Sequence, residues 1–96
     1  MRKFPSIIIA LFALAGCDQP NEDLMQQGLA KSGMAAAQAS CYASSLAGAI
    51  DGDVYNQIAE ALDGGASEKD AVNQARRKFG ADFLTPLRDA KGGCTQ

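Results

Sequence analysis

The side chains with the most reactive chemistry in this chain are three cysteines, Cys17, Cys41 and Cys94. A thiol can act as a nucleophile, bind a metal or form half of a disulfide. The first two uses depend on neighbours that accept a proton or complete a ligand set. The sequence contains no histidine and no Cys-x-x-Cys pair. We therefore predict no metal site and no cofactor, and we expect these thiols to serve structure or attachment.

Other nucleophiles and acids do not form a recognisable catalytic set. Ser44 and Ser45 lie in an alanine-rich stretch, and no histidine exists to activate them. Two carboxylate pairs are better explained as helix caps and solvent-facing charges, namely Asp51 with Asp53 and Glu60 with Asp63. No glycine-rich phosphate loop is present. We predict no catalytic residues and a protein that is not an enzyme.

Charge and composition limit the partners and the size of the core. Two of the nine basic residues, Arg2 and Lys3, lie at the start of the chain. The residues from Cys17 onward carry seven basic and eleven acidic side chains, which gives them a net charge of −4. Such a domain is a poor binder of nucleic acid, whose affinity depends on phosphate contacts. Much of the apolar content is alanine, which buries little area. A core this thin favours an additional covalent constraint.

The N-terminal segment has the plan of a signal peptide. Met1-Arg2-Lys3 is positively charged, residues 4–14 are mostly apolar, and Ala15-Gly16 are small. The apolar run is well short of the ~20 residues that a transmembrane helix needs. The segment therefore predicts export, and a membrane-spanning anchor is the weaker alternative.

The end of this segment adds an attachment chemistry. Leu14-Ala15-Gly16-Cys17 resembles the lipobox of bacterial prolipoproteins. In that family the cysteine thiol is alkylated by diacylglycerol, the peptide is cut just before it, and the new amino terminus is acylated, typically with palmitate. The resemblance implies cleavage between Gly16 and Cys17 and a bilayer anchor at Cys17. It covers the leader only, and the alternative is an ordinary secretory signal with an incidental cysteine.

The resemblance also predicts domain organisation and location. Residues 1–16 form the lipoprotein signal peptide, 17–21 the lipidated cysteine and a short tether, and 22–96 a small helical domain. The location is the bacterial cell envelope, anchored to a membrane and facing the periplasm. Asp18 is similar to a retention signal of enteric lipoproteins and favours the inner membrane, with the outer membrane as the alternative.

Lipidation of Cys17 leaves Cys41 and Cys94 as a possible pair. An oxidising compartment favours their joining, and we predict a disulfide between them. It closes a loop of about 54 residues, for which the chain-entropy model predicts roughly 4 kcal/mol of stabilisation. That is comparable to the whole stability expected of a small domain.

Apolar spacing and capping residues predict an all-α fold, a small bundle of three to four short helices. The predicted helices run from Glu22 to about Ile50, from Val54 to about Asp63 with Asp53 as N-cap, from Ser67 as N-cap to Phe79, and through Phe83, Leu84 and Leu87 with Asp82 or Thr85 as N-cap. A break or kink near Gly33 is an alternative for the first helix. In the third helix we expect Ala71, Val72, Ala75 and Phe79 to form the buried face.

Two surfaces are candidates for contacts. Small residues recur every fourth position in the first helix, at Gly33, Ala37, Cys41, Ser45 and Ala49. They favour close packing within the domain, and self-association is the alternative. Arg76, Arg77 and Lys78 end the third helix, where positive charge complements the helix dipole. The alternative role for these three is contact with anionic lipid head groups.

These features predict a non-catalytic interaction or structural lipoprotein of the envelope, whose protein partner is unknown. A small periplasmic inhibitor or an exclusion or immunity-type lipoprotein is the alternative. A ligand binder or minor enzyme would need a pocket that this thin core can hardly supply.

Overall fold

Five helices make up the described part of the chain. The computed structural model describes residues 19–94, and within that range it contains helices only and no strands. The helices are α1 (Glu22–Lys31), α2 (Ala36–Ala47), α3 (Gly52–Asp63), α4 (Glu68–Phe79) and α5 (Leu84–Gly92). The predicted all-α bundle is confirmed, whereas the predicted count of three to four helices is wrong. None of the described helices is long and apolar enough to cross a bilayer.

The extra helix arises because the first predicted helix, from Glu22 to about Ile50, is divided near Gly33, in accord with the alternative of a break there. Gly33 has φ 104°, a conformation that favours glycine. The backbone N–H of Gly33 donates to the Ala30 carbonyl and that of Met34 to the Leu29 carbonyl, both at 3.0 Å. This is a Schellman ending, which uses up the carbonyls that a continuing helix would need. α1 therefore ends at Lys31, and α2 begins at Ala36, three residues after Gly33.

The other helix boundaries follow local capping chemistry with two corrections. Ser67 Oγ accepts from the Asp70 backbone N–H at 3.1 Å, so the predicted cap of α4 is confirmed. Asp53 is not an N-cap, because α3 begins at Gly52, two residues before the predicted start at Val54, and Asp51 occupies the N-cap position. Neither alternative proposed for α5 holds, since Phe83 occupies its N-cap position without a side-chain bond.

The helices form antiparallel neighbours with one parallel pair. α1 and α3 run parallel, because Asn21 meets Asn56 near both N-termini and Lys31 meets Asp63 at both C-termini. α2 runs back against α1, α4 runs back along α3, and α5 packs on α2. The molecule therefore has two distinguishable ends. We call the end with residues 19–21, the α2–α3 loop and the C-terminus of α4 the tether end, and the end with Lys31, Asp63, Glu68, Lys91 and Cys94 the cross-linked end.

The core is formed by a few large side chains and many alanines. The largest fully buried side chains are Tyr42, Tyr55, Met25, Leu29, Leu46 and Leu62. Each buried leucine or methionine contributes ~1.5–3 kcal/mol of hydrophobic stabilisation. α4 adds only two fully buried side chains, Ala71 and Ala75. α4 therefore buries little area against the core, as the composition predicts.

α1 and α3 approach each other closely at Gly28. A Cβ placed on Gly28 would lie 2.6 Å from Leu62 Cβ and 2.9 Å from the Asp63 backbone nitrogen. Atoms cannot approach that closely, so only glycine permits this separation of the two helices. Gly28 therefore sets how closely α1 and α3 pack against each other.

Candidate functional site

The residues of the predicted attachment site lie next to the described part of the chain. Gly16, Cys17 and Asp18 fall outside the described residues 19–94, so cleavage, lipidation and membrane choice stay predictions. The first described residue, Gln19, follows Cys17 by two positions. The place where the chain leaves the domain is therefore known to within two peptide links.

Asn56 on α3 holds this segment against the domain. Its Nδ2 donates to the Gln19 carbonyl at 2.9 Å, and its Oδ1 accepts from the Asn21 backbone N–H at 2.8 Å. Asn21 Oδ1 in turn accepts from the Leu24 backbone N–H at 3.1 Å, which confirms the predicted N-cap of α1. We call the two Asn56 bonds the amide clasp. The clasp directs residues 19–21 along the start of α3, which shortens the free tether that the sequence predicts.

The basic residues predicted as a lipid contact end α4 in the same region. Arg76, Arg77 and Lys78 are all exposed, and the helix stops at Gly80, whose φ is 91°. Lys78 Nζ lies 5.4 Å from the centroid of the Phe79 ring, a cation–π distance. The head-group contact itself stays a prediction.

Phe79 departs from its predicted role. It is 37 % exposed and is the one exposed large hydrophobic side chain in the range 19–94. It does follow Ala75 by four positions and shares its face, as the spacing predicts. The prediction of burial is wrong, because the ring lies at the end of α4 between two open clefts and is covered only in part.

Two clefts flank Phe79 at the tether end. The first, of about 300 Å³, has an apolar lining that includes Val54, Phe83 and Pro86, with Asp51 and Asp82 as its charged residues. The second, of about 360 Å³, is polar and is lined by Asp53, Asn56, Gln57, Glu60, Lys78 and Phe79. The second cleft thus brings together the residue of the amide clasp and the aromatic and basic end of α4.

The predicted cysteine pair is confirmed at the level of geometry. Cys41 on α2 and Cys94 after α5 lie at disulfide distance, with Cα atoms 5.8 Å apart. Cys94 is buried, and its Sγ lies 3.8 Å from the Ser45 hydroxyl. The pair ties the end of the described chain onto α2.

Only the middle three residues of the predicted small-residue row, Ala37, Cys41 and Ser45, lie on α2, because Gly33 lies in the turn that ends α1 and Ala49 follows the end of α2. This shorter small-residue face of α2 lies where α5 packs. Cys41 and Ser45 meet Cys94, and Ala37 lines a cleft together with Gly93 and Cys94. The small side chains of Cys41 and Ser45 let the C-terminal segment approach α2 at this point. Self-association through this face stays a prediction.

The two buried tyrosines are held in the neutral form. Burial raises the pKa of Tyr42 well above its usual value, and the charge of Glu68 adds to the shift. Burial likewise raises the pKa of Tyr55, with a smaller contribution from Glu22. The Tyr55 hydroxyl donates to the Ala43 carbonyl at 2.7 Å. Both phenols therefore stay protonated at neutral pH and occupy structural positions inside the core.

No group of three or more His, Cys, Asp or Glu within residues 19–94 is arranged to hold a metal ion. The predictions that the protein needs no metal, no cofactor and no catalytic residue are not tested by that observation. Comparison with protein-family models, with curated proteins and with solved structures finds no match to this chain. The function is therefore argued from the residues of the chain itself.

Proposed function

We propose that this chain is a lipid-anchored lipoprotein of the bacterial envelope whose helical domain binds another envelope component without catalysis. The observation that carries the proposal is the pattern Leu14-Ala15-Gly16-Cys17, placed after a charged start and an apolar run. Gln19, two positions after Cys17, is held against the domain by Asn56. A folded unit two residues from the modified cysteine is the arrangement expected of a lipoprotein with almost no stalk.

Two physical arguments support this assignment. One acyl chain gives only marginal membrane binding, whereas a diacylglyceryl group together with an amide-linked acyl chain holds a protein firmly. The Cys41–Cys94 geometry suits an oxidising compartment, where such a bond persists. The lipid anchor and the disulfide thus both favour the periplasmic side of the inner membrane.

Replacement of Cys17 by serine tests the anchor. We expect the wild-type protein, produced in a bacterial host, to lose residues 1–16 and to gain the mass of the lipid groups. Cys17→Ser removes the thiol that the lipid needs, so the variant should keep its leader or lose its membrane association. Cleavage and lipidation are followed by intact mass spectrometry and by membrane fractionation.

Cys41→Ser is the matched control, because it removes one thiol and leaves the leader intact. It should be cleaved and lipidated like the wild type. A Cys17→Ser protein that matures and fractionates with membranes normally would show that the lipobox interpretation is wrong. Asp18→Ser, compared in an enteric host, tests inner-membrane retention by separating the two membranes on a density gradient.

Photo-crosslinking from exposed positions of the domain in living cells tests the binding role. A cross-linked component of the same envelope supports the interaction role. A component that enters from outside the cell would instead favour the inhibitor or exclusion-type alternative. A domain that cross-links to nothing but lipid would contradict both.

A further inference from the structure

The tether and the end of α4 both lie next to Asn56. Asn56 binds Gln19 and Asn21 and also lines the cleft that contains Lys78 and Phe79. Only two peptide links separate Gln19 from Cys17, a reach of about 7 Å. A lipid attached to Cys17 therefore enters the bilayer next to the C-terminus of α4.

Three side chains exposed at the end of α4 suit the surface of an anionic bilayer, in contrast to the carboxylates exposed at the same end of the molecule, namely Glu22, Asp23, Asp51, Asp53 and Asp82. Arg76 and Arg77 are exposed, and neither forms an ion pair with a carboxylate in residues 19–94. Phe79 adds an exposed aromatic ring directly after them. Arginine is attracted to anionic head groups, and aromatic rings favour the interface between head groups and acyl chains.

The neighbouring carboxylates limit which residues can take part. Asp53 and Glu60 line the same cleft as Lys78, so its positive charge is partly offset. Asp51 and Asp82 lie in the cleft on the other side of Phe79. The attraction is therefore concentrated on the outer face of the last turn of α4, at Arg76 and Arg77, and not on Lys78.

We infer that Arg76, Arg77 and Phe79 form a surface that rests on anionic phospholipid head groups and orients the anchored domain with its tether end on the membrane. The inference rests on the proposed function, since the anchor supplies most of the binding. Two arginines and one partly exposed ring bind a bilayer weakly on their own. Attachment through Cys17 makes the contact intramolecular, so that a weak affinity suffices to keep it formed.

The chain contains no tryptophan, so one introduced tryptophan reports its own depth. Phe79→Trp places the reporter on the proposed surface. Lys69→Trp is the matched control, exposed on the same helix ten residues earlier, about 15 Å along its axis. Each mature chain, residues 17–96, is coupled through the Cys17 thiol to a maleimide lipid in vesicles that carry brominated acyl chains.

In vesicles that contain phosphatidylglycerol, we expect the bromines to quench the tryptophan at position 79 several-fold more strongly than the one at position 69. The difference should shrink in pure phosphatidylcholine. Arg76→Gln with Arg77→Gln, introduced into the Phe79→Trp chain, should also reduce it, because each lost charge weakens the contact about three- to five-fold. Lys78→Gln should change it least.

Equal quenching at the two positions would overturn the inference. Strong quenching at position 79 that changes neither with lipid charge nor with the arginine substitutions would also overturn it. Chemical coupling makes this test independent of processing in cells. If Cys17 is not lipidated in the bacterial host, the proposed function fails while the vesicle result still stands. If lipidation is found but quenching is equal, only the orientation is wrong.

Discussion

The two ends of this molecule are built from different interactions. The cross-linked end holds the Cys41–Cys94 pair and the ion pair of Lys91 with Glu68, at 2.9 Å. The tether end has the amide clasp of Asn56, an exposed Phe79 and the two clefts beside it. Covalent and ionic links therefore lie at one end, and uncovered apolar and basic groups at the other.

This difference indicates a division between the two ends of this very small domain, one of which stabilises the fold while the other exposes side chains. α4 contributes only alanines to the fully buried core, and α5 only Leu87, so these helices need links that do not depend on buried area. The links lie at the cross-linked end, where α5 and the chain after it meet α2 and α4. The tether end can then expose side chains without loss of the fold. The following predictions test that division, in order of decreasing effect.

Loss of the cysteine pair should cost most. Cys94→Ser opens a loop whose ends are 53 residues apart, and we expect the free energy of unfolding to fall by about 4 kcal/mol. Urea unfolding of the oxidised proteins, followed by circular dichroism, measures the change. Ser45→Ala removes only the hydroxyl beside the Cys94 sulfur and should cost less than about 1 kcal/mol. An unchanged urea midpoint for Cys94→Ser would contradict the interpretation that the cysteine pair stabilises the cross-linked end.

The close contact of α1 with α3 should rank second. Gly28→Ala places a methyl group against Leu62 and the backbone at Asp63, so the helices must separate, at a cost of about 2–3 kcal/mol. Gly92→Ala is the matched control, because a Cβ there meets no atom within 4 Å. Alanine also favours helix, so the control should be neutral or slightly stabilising. Equal urea midpoints for the two variants would contradict the close packing.

Stability should also fall in alkaline solution. Because burial raises the pKa of Tyr42 and Tyr55 in the folded state, the folded chain keeps two protons that the unfolded chain loses above pH ~10. Each tyrosine should then lower stability by ~1.4 kcal/mol per pH unit as pH rises above that value. Below it, these two groups contribute full stability. Chemical unfolding between pH 8 and 11 checks the slope, and Tyr55→Phe should roughly halve it.

The smallest effects should distinguish the polar contacts of the two ends. Asn56→Ala removes two hydrogen bonds and should cost about 1 kcal/mol with little dependence on salt. Lys31→Ala breaks the exposed pair with Asp63 and should cost about 0.5 kcal/mol, less at high salt. Hydrogen exchange distinguishes the two variants further, because protection of the Asn21 backbone amide should disappear in Asn56→Ala and persist in Lys31→Ala. Protection that persists there would show that the clasp does not hold the tether.

Local sequence signals predict much of this fold. The all-α class follows from apolar spacing, and the cap of α4 from Ser67. The cysteine pairing follows from the assignment of Cys17 to lipid, which leaves two thiols. Each of these depends on residue type and near neighbours, which the sequence displays directly.

What the sequence leaves undecided depends on distant partners. A glycine at position 33 permits either a kink or a stop, and the backbone bonds around it make it a stop. The spacing places Phe79 on the correct face, but its exposure depends on where the neighbouring helices end. Asn56 is an ordinary polar residue of α3, and its bonds reach backbone groups 35 and 37 positions away. No local pattern indicates such a contact.

The position of the cysteine pair has a mechanical consequence. The loop closed by Cys41 and Cys94 contains α3, α4 and α5, whereas α1 lies outside it. A pulling force applied at Cys17 would therefore act first on the hydrogen bonds of Asn56 and then on the interface between α1 and α3. Extension would stop at Cys41, because the covalent loop beyond it bears the load. The chain from Gln19 to Cys41, which includes α1 and the start of α2, would extend, and the covalent loop would limit any further lengthening.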